Sequence, residues 1–177
     1  MTVGEETQRL GLADAARREK EEYAGGEERP LGSYAALMGV YALVVAAFAA
    51  FLRLTGRKLP ERVALSDLAL AAVATHKVSR RVAKDPVTSP LRAPFTRFAG
   101  TTGPAELKEE VRGTGLRKAV GELITCPFCL SQWVATAFMF GYVVAPRVTR
   151  LAAATFGALA GADFLQFAYS AAEQKTG

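Results

Sequence analysis

Three long apolar stretches constrain the fold of this chain more than any other feature. Residues 31–52 and 124–146 carry no charged side chain, and residues 151–172 carry one, Asp163. A helix of about 20 apolar residues crosses the hydrocarbon layer of a bilayer, where no water satisfies free backbone groups. The pattern therefore predicts an all-α integral membrane protein.

A fourth apolar segment is shorter and more polar than the other three. Residues 63–80 contain Asp67, His76 and Lys77, so this helix either spans, lies obliquely or is re-entrant. We therefore predict about four membrane-associated helices, of which three are clear spans. They lie at residues 31–53, 63–80, 124–146 and 151–172, the last three within a membrane domain of residues 62–172.

The composition agrees with a membrane location. Half of the 177 residues are hydrophobic and the mean hydropathy is +0.14, although residues 1–30 are strongly charged. This tail is predicted to be solvated, with a helix across residues 10–23. The net charge of +5 comes from basic residues beside apolar segments, without an aromatic-interleaved basic motif, so we expect lipid rather than nucleic acid as the partner.

The distribution of Lys and Arg predicts an orientation. With four spans, one side of the membrane receives only six of the 22 basic residues, and the tail, the longest connection and the C-terminus share the other sixteen. The six are Arg53, Arg57, Lys58, Arg62, Arg147 and Arg150. Because basic loops stay inside, both termini and the basic loop at residues 85–122 are predicted to face the cytoplasm of a bacterial cell membrane.

The basic loop has two kinds of predicted structure. Pro86, Pro90 and Pro94 predict a stiff, extended first part, whereas residues 105–111 and 115–123 have helix-forming composition. The second of these helices is amphipathic. It lies either on lipid headgroups or against its own protein.

The chain's two cysteines, Cys126 and Cys129, open the third apolar stretch. Thr125 is predicted to cap a helix that begins at Cys126, with Pro127 in its first turn, where a missing N–H is tolerated. The two-residue spacing lets both sulfurs address one point, as in a disulfide-cycling pair or half of a metal site. A structural role for reduced thiols at the entry of a membrane helix is the favoured interpretation.

A zinc site is the second chemical interpretation of the cysteine pair, after a disulfide-cycling pair. Four ligands would need His76 with Asp67 or Asp85, or a second copy of the chain that supplies two more thiolates. We otherwise expect no cofactor.

Carboxylates within apolar segments are costly, so they are usually paired, protonated or functional. Arg80, Arg81 and Arg92 are the predicted partners of Asp67, and Gln132 or His76 those of Asp163. A proton or ion pathway is the alternative to this structural role. The candidate polar network comprises Asp67, Arg80, Asp85, Arg92 and Asp163.

Gly157 and Gly161 form a small-xxx-small face in the last apolar segment. Such a face permits close helix packing, either within the chain or between copies in a homo-oligomer.

Several short motifs resemble a known family when they are taken in order. They are Asp67-Leu-Ala-Leu, Ser79-Arg80, Asp85, Ser89-Pro-Leu-Arg-Ala-Pro-Phe95, and Glu122-Leu-Ile-Thr-Cys-Pro-Phe-Cys129 with Trp133. Together they resemble the bacterial membrane proteins of domain of unknown function 1360, over roughly residues 62–172. Phe128, where tryptophan is common, and His76, where a bulkier apolar residue is common, depart from that pattern. The resemblance implies topology and key positions but no activity; some members come from spore-forming bacteria.

The sequence therefore predicts a non-enzymatic membrane anchor or scaffold that presents its tail and basic loop to a cytoplasmic protein partner or assembly. One alternative is a thiol-dependent membrane oxidoreductase or a zinc-binding membrane protein that uses Cys126 and Cys129. The other is an oligomeric ion or proton transporter, which requires several copies because the chain is too short for internal inverted repeats.

Overall fold

The structure is a computed structural model that describes residues 14–15, 17–26 and 29–176, with the side chain of residue 176 outside the description. Part of the predicted tail helix is present, since residues 17–24 are helical, while residues 10–13 and 16 lie outside the described residues. From residue 29 onward the elements follow in order. They are α1 (Leu31–Thr55), α2 (Leu65–Lys84), a 3₁₀ turn (Pro86–Thr88), α3 (Ser89–Arg92), β1 (Thr96–Gly103), β2 (Glu106–Val111), α4 (Gly115–Thr125), α5 (Pro127–Val144) and α6 (Pro146–Thr176).

Three of these helices, α1, α5 and α6, are long and apolar enough to cross a membrane by length and composition. They coincide with the three clear spans predicted from the sequence. Little of their apolar surface is buried within the chain, and many large side chains on them are exposed. An apolar surface of this extent requires a covering of lipid or protein.

Helix α2 lies against both α5 and α6 along its length. Near its start, Asp67 contacts Tyr142 at the end of α5 and Arg150 at the start of α6. Further along, Lys77 pairs with Asp163 of α6. Helix α2 therefore runs antiparallel to α5 and parallel to α6, and its 20 residues pass through the same layer as the two apolar helices.

Small side chains allow α2 to approach its neighbours closely. Ala71, Ala74 and Ser79 are buried on α2, and Ala153 and Ala160 are buried on α6. Helices packed through small residues bring their backbones together, which increases van der Waals contact without a large side chain between them. The centre of the bundle is thus built from alanine and serine rather than from bulky aliphatic residues.

Helix α1 packs on α5 through aromatic rings. Tyr41 meets Trp133 edge to face with ring centroids 5.2 Å apart, and its hydroxyl lies 2.8 Å from Thr136 Oγ1. Two turns further along, Phe48 stacks on Phe140. Because successive positions of α1 meet successive positions of α5, the two helices run in the same direction, and aromatic pairs of this kind add to the free energy of burial.

A β-hairpin corrects the all-α prediction and the predicted helix at residues 105–111. Strand β2 pairs antiparallel with β1, from Thr96 opposite Val111 to Gly103 opposite Glu106. The turn between the strands places Ala105 at a φ of 57°. Residues 106–111 have good helix propensity, but cross-strand pairing and the inward contacts of alternate side chains outweigh that weak local preference.

The proline-rich part of the loop is helical rather than extended, which corrects a second prediction. Pro86 and Pro90 each occupy the first turn of a short helix, where the missing N–H needs no partner. Asp85 Oδ1 accepts a hydrogen bond from the Val87 N–H at 2.8 Å and caps the first of them. The prolines therefore start turns here instead of stiffening an extended segment.

Helix α4 confirms the predicted helix at residues 115–123. It contacts α1, α5 and β2, so it packs against its own protein, one of the two predicted arrangements. Tyr34 of α1 donates a hydrogen bond to Glu122, and Gly121 lies close to the Phe95 carbonyl. We call residues 85–126, which join α2 to α5, the module.

Candidate functional site

The module is joined to the bundle at the C-terminal end of α2, and Arg92 lies at this junction. The Arg92 side chain is 0% exposed. Its Nε donates to Glu109 Oε2 at 2.5 Å, and its Nη1 donates to the Val82 carbonyl at 2.6 Å. Nη1 also donates to Thr88 Oγ1 at 2.7 Å, and Nη2 donates to the Asp85 carbonyl at 3.0 Å.

These contacts satisfy two requirements at once. A buried guanidinium is tolerated only when it is paired and hydrogen-bonded, and Glu109 supplies the opposite charge. The last carbonyls of a helix have no partner within the helix, and Arg92 binds that of Val82. Arg92 thereby links the end of α2, the short helices and strand β2.

Two further arginines hold the segment that follows Arg92. Arg112 Nη2 donates to the Ala93 carbonyl at 2.8 Å, and Arg117 Nε donates to the Pro94 carbonyl at 2.9 Å. The Arg112 N–H donates to the Phe95 carbonyl at 2.9 Å. Part of the basic character of the loop therefore serves internal hydrogen bonding rather than contact with lipid headgroups.

The structure gives the predicted polar network different partners. Asp67 pairs with Arg150, at 2.9 Å to Nε and 2.7 Å to Nη2, and not with Arg80, Arg81 or Arg92. Those predicted partners were wrong because α2 enters the bundle with Asp67 at the end remote from the module. The pair joins the first turns of α2 and α6.

Asp163 also has an unpredicted partner. It pairs with Lys77 and not with Gln132 or His76, because α2 and α6 run parallel and bring these positions level. The other members of the predicted polar network also have partners of their own. Arg80 binds Glu106, with its Nε 2.9 Å from the carboxylate. Asp85 accepts a hydrogen bond from Arg92 through its backbone carbonyl. The five residues form several junctions between elements instead of one network.

The cysteines lie at the sharp boundary between α4 and α5. Cys126 is the N-cap of α5, and its sulfur accepts a hydrogen bond from the Cys129 N–H at 3.3 Å. The predicted cap at Thr125 is wrong, because Thr125 ends α4 and its hydroxyl donates to the Gly121 carbonyl. Both thiols are free, their sulfurs are 2.7 Å apart, and Cys129 is exposed.

The sulfurs are close enough to form a disulfide after a small movement, since that bond is about 2.05 Å long. A metal site within one chain has less support. No group of three or more His, Cys, Asp or Glu side chains converges in the part of the chain that the structure describes. The predicted closure of a zinc site by His76 with Asp67 or Asp85 is therefore not formed, and a site shared between two copies stays a prediction.

The two glycines of the small-xxx-small face have different surroundings. A Cβ added at Gly157 would lie 3.2 Å from Leu70 of α2, so this glycine serves packing within the chain. A Cβ added at Gly161 would meet nothing within 4 Å.

A cleft of about 660 Å³ lies between the C-terminal halves of α2 and α6, beside the hairpin turn. One wall carries basic residues of α2, among them Arg81 and Lys84, and the other carries Phe164 and Phe167 of α6. Sequence reasoning used the basic residues for orientation and missed the cleft. Their spacing along one face of α2 was the signal that could have located it.

Comparison with known proteins identifies the family. Residues 70–169 match the family model described as protein of unknown function (DUF1360). The chain belongs to the DUF1360 family. It is also 27% identical to sporulation protein YjcA of Bacillus subtilis (strain 168) over 86 residues, which are 47% of this chain and 73% of that protein. No solved structure matches.

The DUF1360 match confirms the resemblance seen in the sequence motifs. It begins within α2 and ends within α6, so it includes the Arg92 junction and the cysteine pair. Helix α1 and the tail lie outside it.

Proposed function

We propose that this DUF1360 protein is a non-enzymatic anchor or scaffold of the bacterial cell membrane. Helices α1, α2, α5 and α6 cross the bilayer in alternating directions. The tail, the module and the C-terminus then share the cytoplasmic face, where they meet a protein partner or assembly.

Two independent observations support this orientation. The helix directions place the start of α1 and the end of α6 on the side of the module, and the sequence segments that adjoin this side contain sixteen of the 22 basic residues. Although α2 is too polar to qualify as a span by composition, α5 and α6 flank it and its Asp67 and Lys77 are paired. Paired charges inside a bundle reduce the cost of crossing a bilayer.

The observation that carries the proposal is the buried Arg92 junction. It fixes a folded module of helices and a hairpin to the end of the bundle, where an ordinary loop would only connect two spans. The hairpin leaves a large apolar side chain outside, since Phe98 is 67% exposed. A fixed module with an exposed aromatic side chain suits recognition of a protein.

The cellular process in which we place this scaffold comes from the similarity to sporulation protein YjcA. Because that relative is called a sporulation protein, we place the scaffold in an envelope assembly of a developing bacterial cell.

Photocrosslinking in cells tests this function. A photoreactive amino acid replaces Phe98 on the hairpin, Tyr23 in the tail or, as a control of similar exposure, Leu43 on the apolar surface of α1. We expect one discrete protein adduct from the first two positions and none from Leu43. Adducts of the same proteins from all three positions, or none from Phe98 and Tyr23, would contradict docking by the tail and module.

The cysteine pair favours a second candidate function, thiol–disulfide exchange at the membrane. The 2.7 Å approach of the sulfurs and the exposure of Cys129 support it. Two thiols would reduce one molecule of glutathione disulfide to two of glutathione and become a disulfide. Purified full-length protein should then lose both titratable thiols with this oxidant, and retention of both would exclude this function.

A further inference from the structure

The cleft between α2 and α6 has two chemically different walls. On α2, the basic side chains run from Lys77 to Lys84, a distance of about 10 Å along the helix axis. On α6, Phe164 is 69% exposed and Phe167 is 59% exposed. A ligand that matches both walls must have an anionic part and an apolar part.

The charges in the cleft are not all used by the protein. Lys77 pairs with Asp163 and Arg80 pairs with Glu106, so these two cations are neutralised. Arg81 also pairs with an acid, since its Nε lies 3.3 Å from Asp85, but its two terminal nitrogens make no hydrogen bond or ion pair within the described residues. Lys84 makes no ion pair with an acidic side chain in that part of the chain.

The position of these two cations matches the surface of a bilayer. They lie in the last turn of α2, next to the module, while the neutralised Lys77 lies about one turn deeper than Arg81 and two turns deeper than Lys84. On the aromatic wall, Phe164 follows Asp163 and so lies level with Lys77, while Phe167 lies about one turn nearer the outer end, level with Arg81. The outer end of the cleft therefore holds Lys84, which no acid neutralises within the described residues, and the aromatic surface of Phe167 and Phe164 extends inward from the level of Arg81, as a phospholipid extends from headgroup to acyl chain.

From this arrangement, and given the membrane insertion set out under Proposed function, we propose that the cleft is a binding site for one anionic phospholipid. Its phosphate binds Arg81 and Lys84, and an acyl chain lies along Phe164 and Phe167. Basic pockets between membrane helices at the cytoplasmic face recognise headgroups of this charge. The site would bind anionic lipid to the same end of the bundle that holds the module.

Lipid binding to the purified full-length chain tests the proposal. Native mass spectrometry in detergent measures the affinity for phosphatidylglycerol, for phosphatidylcholine with the same acyl chains, and for glycerol phosphate. We expect phosphatidylglycerol to bind at least tenfold more tightly than phosphatidylcholine, and glycerol phosphate not to compete. Equal binding of the two lipids, or displacement by glycerol phosphate, would overturn a site that needs both headgroup charge and acyl chain.

Charge variants locate the site. The double variant Arg81→Gln/Lys84→Gln should bind phosphatidylglycerol roughly 25-fold more weakly, about fivefold for each charge. The matched control Arg97→Gln/Lys108→Gln removes two exposed charges from the hairpin and should change affinity less than twofold. If the double variant fails to fold, the single variant Lys84→Gln replaces it, with an expected fivefold loss of affinity for phosphatidylglycerol.

Equal losses in the cleft and control variants would show non-specific attraction and contradict the site. Unchanged lipid affinity together with a smaller oligomer in Phe167→Ala would assign the cleft to a second copy of the chain and also overturn the proposal. Either failure would leave the crosslinks from the tail and hairpin unaffected, so it is distinguishable from failure of the scaffold function.

Discussion

At the C-terminal end of α2, Arg92 brings a full positive charge into the interior and Glu109 neutralises it. Arg92 belongs to the segment that marks the family, and its role is structural: it orients the module and touches no cleft or thiol. Its presence could be read from the sequence, but its partner could not. Glu109 follows 17 residues later, and only the pairing of β1 with β2 brings it to Arg92.

Replacing Arg92 should detach the module. Arg92→Ala leaves Glu109 buried without a partner and removes the bonds to the end of α2, so we expect a loss of about 3–5 kcal/mol in the free energy of unfolding. Arg92→Lys should recover only part, because an ammonium group cannot reproduce the planar fork. Thermal unfolding in detergent measures the loss, and limited proteolysis should show earlier cleavage in the module. A similar loss in Arg97→Ala, an exposed arginine of β1, would contradict a specific role for Arg92.

Ala105 is the second residue with a defined energetic cost. Its φ of 57° lies in the left-handed region, which costs an L-residue with a Cβ about 1–2 kcal/mol. Ala105→Gly should therefore stabilise the protein by up to about 1 kcal/mol, after the greater chain entropy of glycine is subtracted. A higher melting temperature confirms this; a lower one would show that the turn is not strained.

At the scale of elements, the apolar helices were predictable, whereas only α4 of the module was. Residues 31–53, 124–146 and 151–172 carry their signal in continuous hydropathy, which depends on no distant partner. Strand β2 forms only through its pairing with β1, which is distant information for a sequence pattern. Its helix-forming composition led to the incorrect prediction of a helix. The partners of Asp67 and Asp163 failed for a related reason, because they depend on which helix lies beside α2 and in which direction.

The turn between α5 and α6 requires a close approach at Gly141. A Cβ there would lie 2.6 Å from Thr149 Oγ1, which already donates to the Ala145 carbonyl. Gly141→Ala should destabilise the protein by about 1–3 kcal/mol, since the packed hydroxyl has to move. Thermal unfolding measures this change.

Gly161→Ala is the matched control for that substitution. It adds the same methyl group to open space in α6 and removes a glycine from a helix, so stability should be unchanged or higher. If Gly161→Ala were the more destabilised variant, or if it dissociated an oligomer, then Gly161 would serve contact between copies and the packing account would be wrong.

For the whole molecule, the central feature is a polar helix flanked by two apolar ones. Helix α2 carries the charges that made its depth uncertain from the sequence, yet it lies along α5 and α6 with Asp67 and Lys77 paired to α6. Helix α1 is the fourth helix of the bundle and packs parallel to α5 through aromatic contacts. It lies outside the family match. The orientations of α1 and α2 thus follow from packing rather than from hydropathy. These two orientations decide on which side of the membrane the module lies.

Labelling of single cysteines in sealed, inside-out membrane vesicles tests this architecture most directly. In a chain with Cys126→Ser and Cys129→Ser, one cysteine is placed at Thr102 in the hairpin, Tyr23 in the tail or Leu59 between α1 and α2. A thiol reagent that cannot cross the bilayer should label the first two in intact vesicles, and the Leu59→Cys protein only after the vesicles are opened. If Thr102→Cys and Leu59→Cys were labelled from the same side, α2 would not cross the membrane, and the four-helix scaffold would be contradicted.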